Sequence, residues 1–255
     1  MPPWPAAPAP IRLTIRGRAN AKAGPVRSAR IVTVKLTKIW GGTLVYSGSV
    51  EYILGLLQQA GVRYQSEAPG GPLFRVNSRF APHNLYTDGS RLSALQQHVA
   101  APPTGYQLWG RTPVTALPVG GTGASSVSVA ISNFEQPHFS YDAAAGGYTR
   151  TEPTGQLRDA AANKPWTVPT IVVLQVPVSV GPEVEDVSGT HGLDFGVVGS
   201  GPAQVMVGGF SFTGTFTQGA SGPPALTLAN GGPMPIAPGQ VLVILLRQGN
   251  PVRTS

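Results

Sequence analysis

The sequence predicts an α+β fold rich in short strands: a mixed α/β lobe followed by a mostly β lobe. Three observations predict it. Hydrophobic residues make up 41% of the chain and fall in short blocks between Gly and Pro, the punctuation of strands and turns. Helical spacing of apolar residues is confined to the part before Pro102-Pro103. Only 11% of the 255 residues are charged, too few for a disordered polyelectrolyte, and the length suffices to bury a core.

In chain order, residues 1–10 are proline-rich and read as an extended linker. Residues 11–122 form the predicted α+β lobe and residues 123–255 the β-rich one. Residues 11–15 alternate as a strand should. Residues 31–38 are ambiguous: their β-branched content favours a strand, while apolar residues at 31, 34 and 39 permit a helix. Gly41-Gly42 ends that run and residues 43–46 read as a strand. Ser49 is the expected N-cap of a helix with Ile53, Leu54, Leu56 and Leu57 on one face and Gly61 as its stop. A further helix is expected from Asp88 through Leu92, Leu95 and Val99, after the loop 78–86. Gly120-Gly121-Thr122-Gly123 reads as the linker between lobes. Beyond it, residues 127–131, 139–141, 147–150, 170–178, 204–207, 210–216, 226–228 and 241–246 read as strands. The last is apolar throughout, so both its faces should be buried.

The formal charge is +7, and its distribution says more than its total. Arg12, Arg16, Arg18, Lys22, Arg27, Arg30, Lys35 and Lys38 all precede the first acid, Glu51. Such an end steers anions toward itself, or is simply a solvated basic face. Nucleic acid is one polyanion it could meet, but Trp40 is the only aromatic within or next to residues 11–38, so no stacking platform interleaves with the cations. Cysteine is absent, which excludes disulfides, thiolate catalysis and cysteine-metal sites and suits an extracytoplasmic protein. No apolar run approaches the roughly 20 residues of a membrane span. The residues after Met1 lack the charged and apolar regions of a signal peptide.

Gly24-Pro25-Val26-Arg27-Ser28-Ala29-Arg30 is the feature richest in chemistry. Two guanidinium groups three residues apart around a hydroxyl, at a turn, suit an anion-binding corner. Arg27, Ser28 and Arg30 are its expected ligands, with His83 and Asn84 from the loop 78–86. The competing reading is a staple, in which one of these arginines meets a carboxylate of the second lobe. Asp159 is the expected partner there, on the segment that also carries Arg150. No metal or cofactor is expected: His83, His98, His138 and His191 are scattered without metal-ligand spacing. No Gly-x-Ser-x-Gly elbow occurs, and the Gly120–Gly123 run lacks the Lys of a phosphate loop. Asp142, Glu152 and Asp159 could supply paired carboxylates for glycoside chemistry.

The arginine corner and a series of further strings, in order, resemble the YerB-like family of predicted bacterial lipoproteins, a family without an established activity. The strings are Val45-Tyr46-Ser47-Gly48, Ala81-Pro82-His83-Asn84-Leu85-Tyr86, Phe139-Ser140-Tyr141-Asp142, Tyr148-Thr149-Arg150 with Gly155 and Asp159, Gly199-Ser200-Gly201, Gly214-Thr215-Phe216 and Ala237-Pro238-Gly239-Gln240. The resemblance spans roughly residues 11–247. It implies an α+β N-terminal part, a β-rich C-terminal part and an envelope protein outside the cytoplasmic membrane, anchored through a lipidated cysteine. This chain departs from the pattern at its start, where the signal, that cysteine and the first strand-and-helix region have no counterpart. Phe216 stands where tryptophan is expected, and Pro169-Thr170-Ile171 where an Asn-Val pair is usual. The resulting expectation is a non-enzymatic binding protein for an anionic cell-wall polymer, a lipid headgroup or an envelope protein. The rivals are a cell-wall enzyme using Asp159, or Asp142 with His83, and nucleic-acid binding through residues 11–38.

Overall fold

A six-stranded sheet forms the middle layer. Its strands run in the order Ala225–Leu228, Phe210–Gln218, Gly199–Val207, Thr170–Val176 and Val241–Arg247, with Thr122–Gly123 added beside Phe210–Gln218. The computed structural model describes residues 22–96, 109–133, 135–152, 155–159, 162–185 and 189–255. The expected linker 1–10, the strand 11–15 and the end of the helix after Asp88, with Val99, lie outside the described residues. Gly208 and Gly209, at φ 61° and 81°, make the two-residue turn between Gly199–Val207 and Phe210–Gln218. That conformation suits the twist of a hairpin and strains any residue with a Cβ.

Strand alternation sorts the middle sheet's side chains onto two faces. Val172, Leu174, Val176, Val205, Val207 and Leu245 point one way, and Ile171, Val173, Met206, Ile244 and Leu246 the other. Both faces are buried around the two neighbouring strands Thr170–Val176 and Val241–Arg247, which explains why those two read as nearly continuous apolar runs. A second sheet covers one face, in the order Gly155–Gln156, Gly147–Glu152, His138–Asp142, Ser126–Val129 and Val252–Thr254. It contributes Val127, Val129, Phe139 and Tyr148 to the shared core. The Tyr148 hydroxyl donates to Ala124 O at 3.1 Å, and burial pushes its pKa up, so it stays a neutral phenol.

The other face is covered by helix α1 (Ile31–Trp40) and by the segments 109–117 and 234–237. The ambiguous run 31–38 is thus helical. Six β-branched residues among its ten would weaken an isolated helix, but two apolar faces find partners, and packing outweighs propensity. Val32 and Ile39, with Leu36 and Trp40, join the core of the middle sheet. Ile31 and Val34 face a second cluster with Ala29, Tyr46, Ile53 and Leu57. Thr33 fastens the helix start, its Oγ1 accepting from Arg30 N–H at 2.9 Å and donating to Arg30 O at 2.7 Å.

The second cluster belongs to a small β-α-β unit. Strand Thr43–Val45 pairs in parallel with Arg63–Gln65 across helix α2 (Glu51–Ala60). Val50 rather than Ser49 is the N-cap of α2, without a side-chain hydrogen bond, while Gly61 ends the helix in the left-handed region at φ 63°. Helix α3 (Gly89–Gln96) is capped as expected, Asp88 Oδ1 accepting from Arg91 N–H at 2.9 Å. No helix among the described residues is long and apolar enough to cross a membrane.

Two sequence expectations are corrected here. Gly120–Gly123 is not a free linker, because Thr122–Gly123 pairs with Phe210 and Ser211 at the sheet edge. The run 170–178 is not one strand. It stops at Val176, and after Pro177 the chain enters a separate two-stranded ribbon, Val178–Val184 paired antiparallel with His191–Phe195. Gly181-Pro182 lies inside that ribbon, where the pair register shifts between Val180 and Val184.

Because α1 is built into both clusters, Ile39→Ala should lower the free energy of unfolding by about 2–4 kcal/mol in urea titrations. Far-UV circular dichroism and tryptophan fluorescence should report the same single transition. Two separated transitions would show that the β-α-β unit and the middle sheet unfold independently.

Candidate functional site

The corner 24–30 is held by its backbone. Lys22–Ala23 pairs antiparallel with Leu85–Asp88. Val26 N–H donates to Leu85 O at 2.7 Å, Ser47 N–H to Arg27 O at 2.9 Å and Ala29 N–H to Gly48 O at 3.0 Å. Gly24 lies against the Tyr86 ring, where a Cβ would come within 2.5 Å of Cδ1, so no larger residue fits without a shift. Three of the strings behind the family resemblance, 24–30, 45–48 and 81–86, therefore meet as one knot of main chain.

From this knot the two arginines serve different neighbours. Arg27 is exposed and its Nη2 donates to His83 Nδ1 at 2.6 Å. Guanidinium can only donate, so the imidazole accepts and is neutral, with its proton on Nε2. Among the described residues no carboxylate pairs with Arg27, and the exposed Ser28 hydroxyl has no hydrogen-bond partner. Asn84 is tied from the other side: its Oδ1 accepts from Arg75 Nη1 at 2.7 Å, and Arg75 Nε donates to Glu67 Oε1, also at 2.7 Å. The hydrogen bond with Glu67 raises the Arg75 pKa. The structure thus brings Arg27, Ser28, His83 and Asn84 to one end of the molecule.

Arg30 turns toward the ribbon. Its Nε lies 2.6 Å from Glu185 Oε1, although the N–H is not aimed at that oxygen, and its Nη1 donates to Ala29 O at 3.1 Å. The short separation makes this an ion pair despite the imperfect hydrogen-bond angle. One helical turn further, Lys35 pairs with Asp194 and donates to Phe195 O at 3.1 Å. The staple is therefore real, and the acid that Arg30 meets is Glu185. Asp159 lies on the exposed strand Arg158–Asp159, where its Oδ1 accepts from Ala162 N–H at 2.7 Å. Arg150 approaches Glu135 within its own part of the chain, at 3.4 Å. Asp142 is likewise engaged locally, its Oδ1 accepting from the N–H groups of Ala144 and Ala145.

Sequence reading missed the acids of the ribbon because it missed the ribbon. One signal was available: Glu183, Glu185 and Asp186 cluster in a chain with eleven acids, the natural complement of its basic end. Glu183 is unusual. It is 5% exposed, and neither carboxylate oxygen has a hydrogen-bond partner among the described residues. It fits between Gly181 and Gly192, where any Cβ would collide with it, with Ile31 of α1 alongside.

Arg30 and Glu185 are about a quarter exposed, so solvent weakens their attraction. A double-mutant cycle of Arg30→Gln and Glu185→Gln should give a coupling of about 1 kcal/mol at low salt, less at high salt. Glu183→Gln should be at least as stable as the parent in thermal melts at pH 7, since an amide of the same shape needs no counter-charge. A fall of several degrees in Tm would show that the carboxylate has a compensating partner.

Comparison with known proteins agrees with this architecture. Residues 14–101 match the model of the "Protein of unknown function (DUF3048) N-terminal domain" and residues 127–243 that of the "Protein of unknown function (DUF3048) C-terminal domain". No curated protein matches the chain. The crystal structure of the YerB protein from Bacillus subtilis is similar, with a TM-score of 0.69 and 21% identity, covering 92% of this chain and 77% of that one. At that identity the likeness establishes the fold. With both halves of the chain matched in order, this protein belongs to the DUF3048 family, the YerB-like proteins of unknown function.

Proposed function

We propose that this chain is a non-enzymatic binding protein of the bacterial cell envelope, acting outside the cytoplasm on an anionic ligand through Arg27, Ser28 and His83. The observation that carries the reading is the exposed Arg27 guanidinium, oriented by a neutral imidazole and paired with no carboxylate among the described residues. A hydrogen bond to His83 costs Arg27 one N–H and none of its charge. The remaining donors and the Ser28 hydroxyl are available to a phosphate, carboxylate or acidic sugar, each charge-assisted bond being worth roughly 1.5–3 kcal/mol. The surrounding sequence favours anions, with no acid between Arg12 and Val50 or between Ala68 and Thr87.

The envelope location rests on the family resemblance and agrees with the absence of cysteine. The enzymatic alternative has less support, because Asp142 and Asp159 each cap their own loop while His83 is taken up by Arg27. Nucleic-acid binding through residues 11–38 has less support, because no aromatic residue interleaves with the cations along that stretch.

Isothermal titration with poly(glycerol phosphate) tests the reading. Arg27→Ala should weaken binding about tenfold, the equivalent of about 1.4 kcal/mol, and leave Tm unchanged. Arg30→Gln should do the reverse, lowering Tm with little effect on affinity. Affinity should fall with added salt. Equal binding by Arg27→Ala and the parent protein would refute the assignment.

A further inference from the structure

The ligand-facing end also carries an apolar residue that the anion-binding reading leaves unused. Phe80 is 91% exposed, at the tip of the loop between the strands Phe74–Arg75 and Leu85–Asp88. Its neighbour Arg79 is also exposed and has no hydrogen-bond or ion-pair partner among the described residues. The loop is tied on both sides: Val76 N–H donates to Asn84 O at 2.8 Å, and the backbone N–H of His83, whose ring Arg27 holds, donates to Phe80 O at 2.8 Å. These bonds fix the loop's backbone, and the exposure of Phe80 shows that its ring is not folded back onto the protein. A large exposed aromatic next to Arg79, on the loop that Arg27 reaches through His83, has the composition of a membrane-interface contact, apolar for the acyl boundary and basic for the headgroups.

We propose that this tip docks on an anionic lipid bilayer, with Phe80 entering the headgroup–acyl boundary and Arg79 and Arg27 meeting phosphate headgroups. The proposal rests on the anion-binding reading of Arg27 and names the source of the anion. Charge favours this surface over the exposed cross-strand pair Val180 and Leu193, which lies on the ribbon that carries Glu185 and Asp194. Arg30 and Lys35 neutralise those acids, and the ribbon strands carry no Lys or Arg of their own, so an anionic membrane is drawn to the Phe80 loop instead.

The test compares sedimentation with vesicles of mixed phosphatidylglycerol and phosphatidylcholine, sedimentation with phosphatidylcholine vesicles, and titration with poly(glycerol phosphate) free in solution. The full chain should bind the anionic vesicles and ignore the neutral ones. Phe80→Ser should weaken vesicle binding about tenfold without changing affinity for the free polymer, whereas Arg27→Ala should weaken both. Phe80→Trp should retain binding and add a blue-shifted emission component with anionic vesicles only. Equal vesicle binding by Phe80→Ser and the parent, or binding confined to the free polymer, overturns membrane docking and leaves the anion reading standing. Failure to bind either probe overturns both.

Discussion

Helix α1 has to satisfy two cores at once, and the rest of the structure depends on that constraint. Ile31 and Val34 close the cluster of the β-α-β unit, while Val32 and Ile39 close the open face of the middle sheet. A helix with one apolar stripe can be supported from one side and remain wet on the other. This one cannot be lifted from either partner without exposing apolar surface, so the N-terminal part becomes a layer of the C-terminal part's core.

The ion pairs along α1 follow from that position. Docking the helix against the ribbon brings Arg30 to Glu185 and Lys35 to Asp194 at adjacent turns, which sets the rotation of the helix on its support. It also commits one of the two corner arginines to structure. Arg27, three residues earlier and before the helix begins, faces the other way and is oriented by His83. The corner therefore has one guanidinium that holds the molecule together and one whose charge is directed outward. Glu183 lies against Ile31 of the helix start as a buried acid without a donor among the described residues, a local cost that well-packed neighbours sustain.

The strings behind the family resemblance acquire physical meanings of different kinds. Tyr148 and Phe139 are core residues between sheets, and Phe216 fills the core of the middle sheet. Thr170, at the position where an Asn-Val pair is usual, accepts from Ala237 N–H at 3.0 Å and so ties the Ala237–Gln240 string to the central strand. Asp142 and Asp159 cap loops. Of all these strings, the corner and the loop before Leu85 place polar side chains on the surface together.

What the sequence alone determined was local. Strand content, the continuous apolar strands of the middle sheet, the Gly61 stop and the Asp88 cap are readable because each depends on a residue's nearest neighbours along the chain. The arginine corner could also be singled out by its residue types, and of the loop residues grouped with it His83 contacts Arg27 while Asn84 is held by Arg75. Tertiary structure alone decided that residues 31–38 are a helix, since their β-branched side chains point to a strand until two cores claim opposite faces. It alone decided that Glu185, 155 residues beyond Arg30, is the acid of the staple, because the ribbon that carries it starts at a proline and contains a Gly-Pro. Nothing local marks which of eleven acids a docked helix will meet; that is set by the packing of α1 on the sheet.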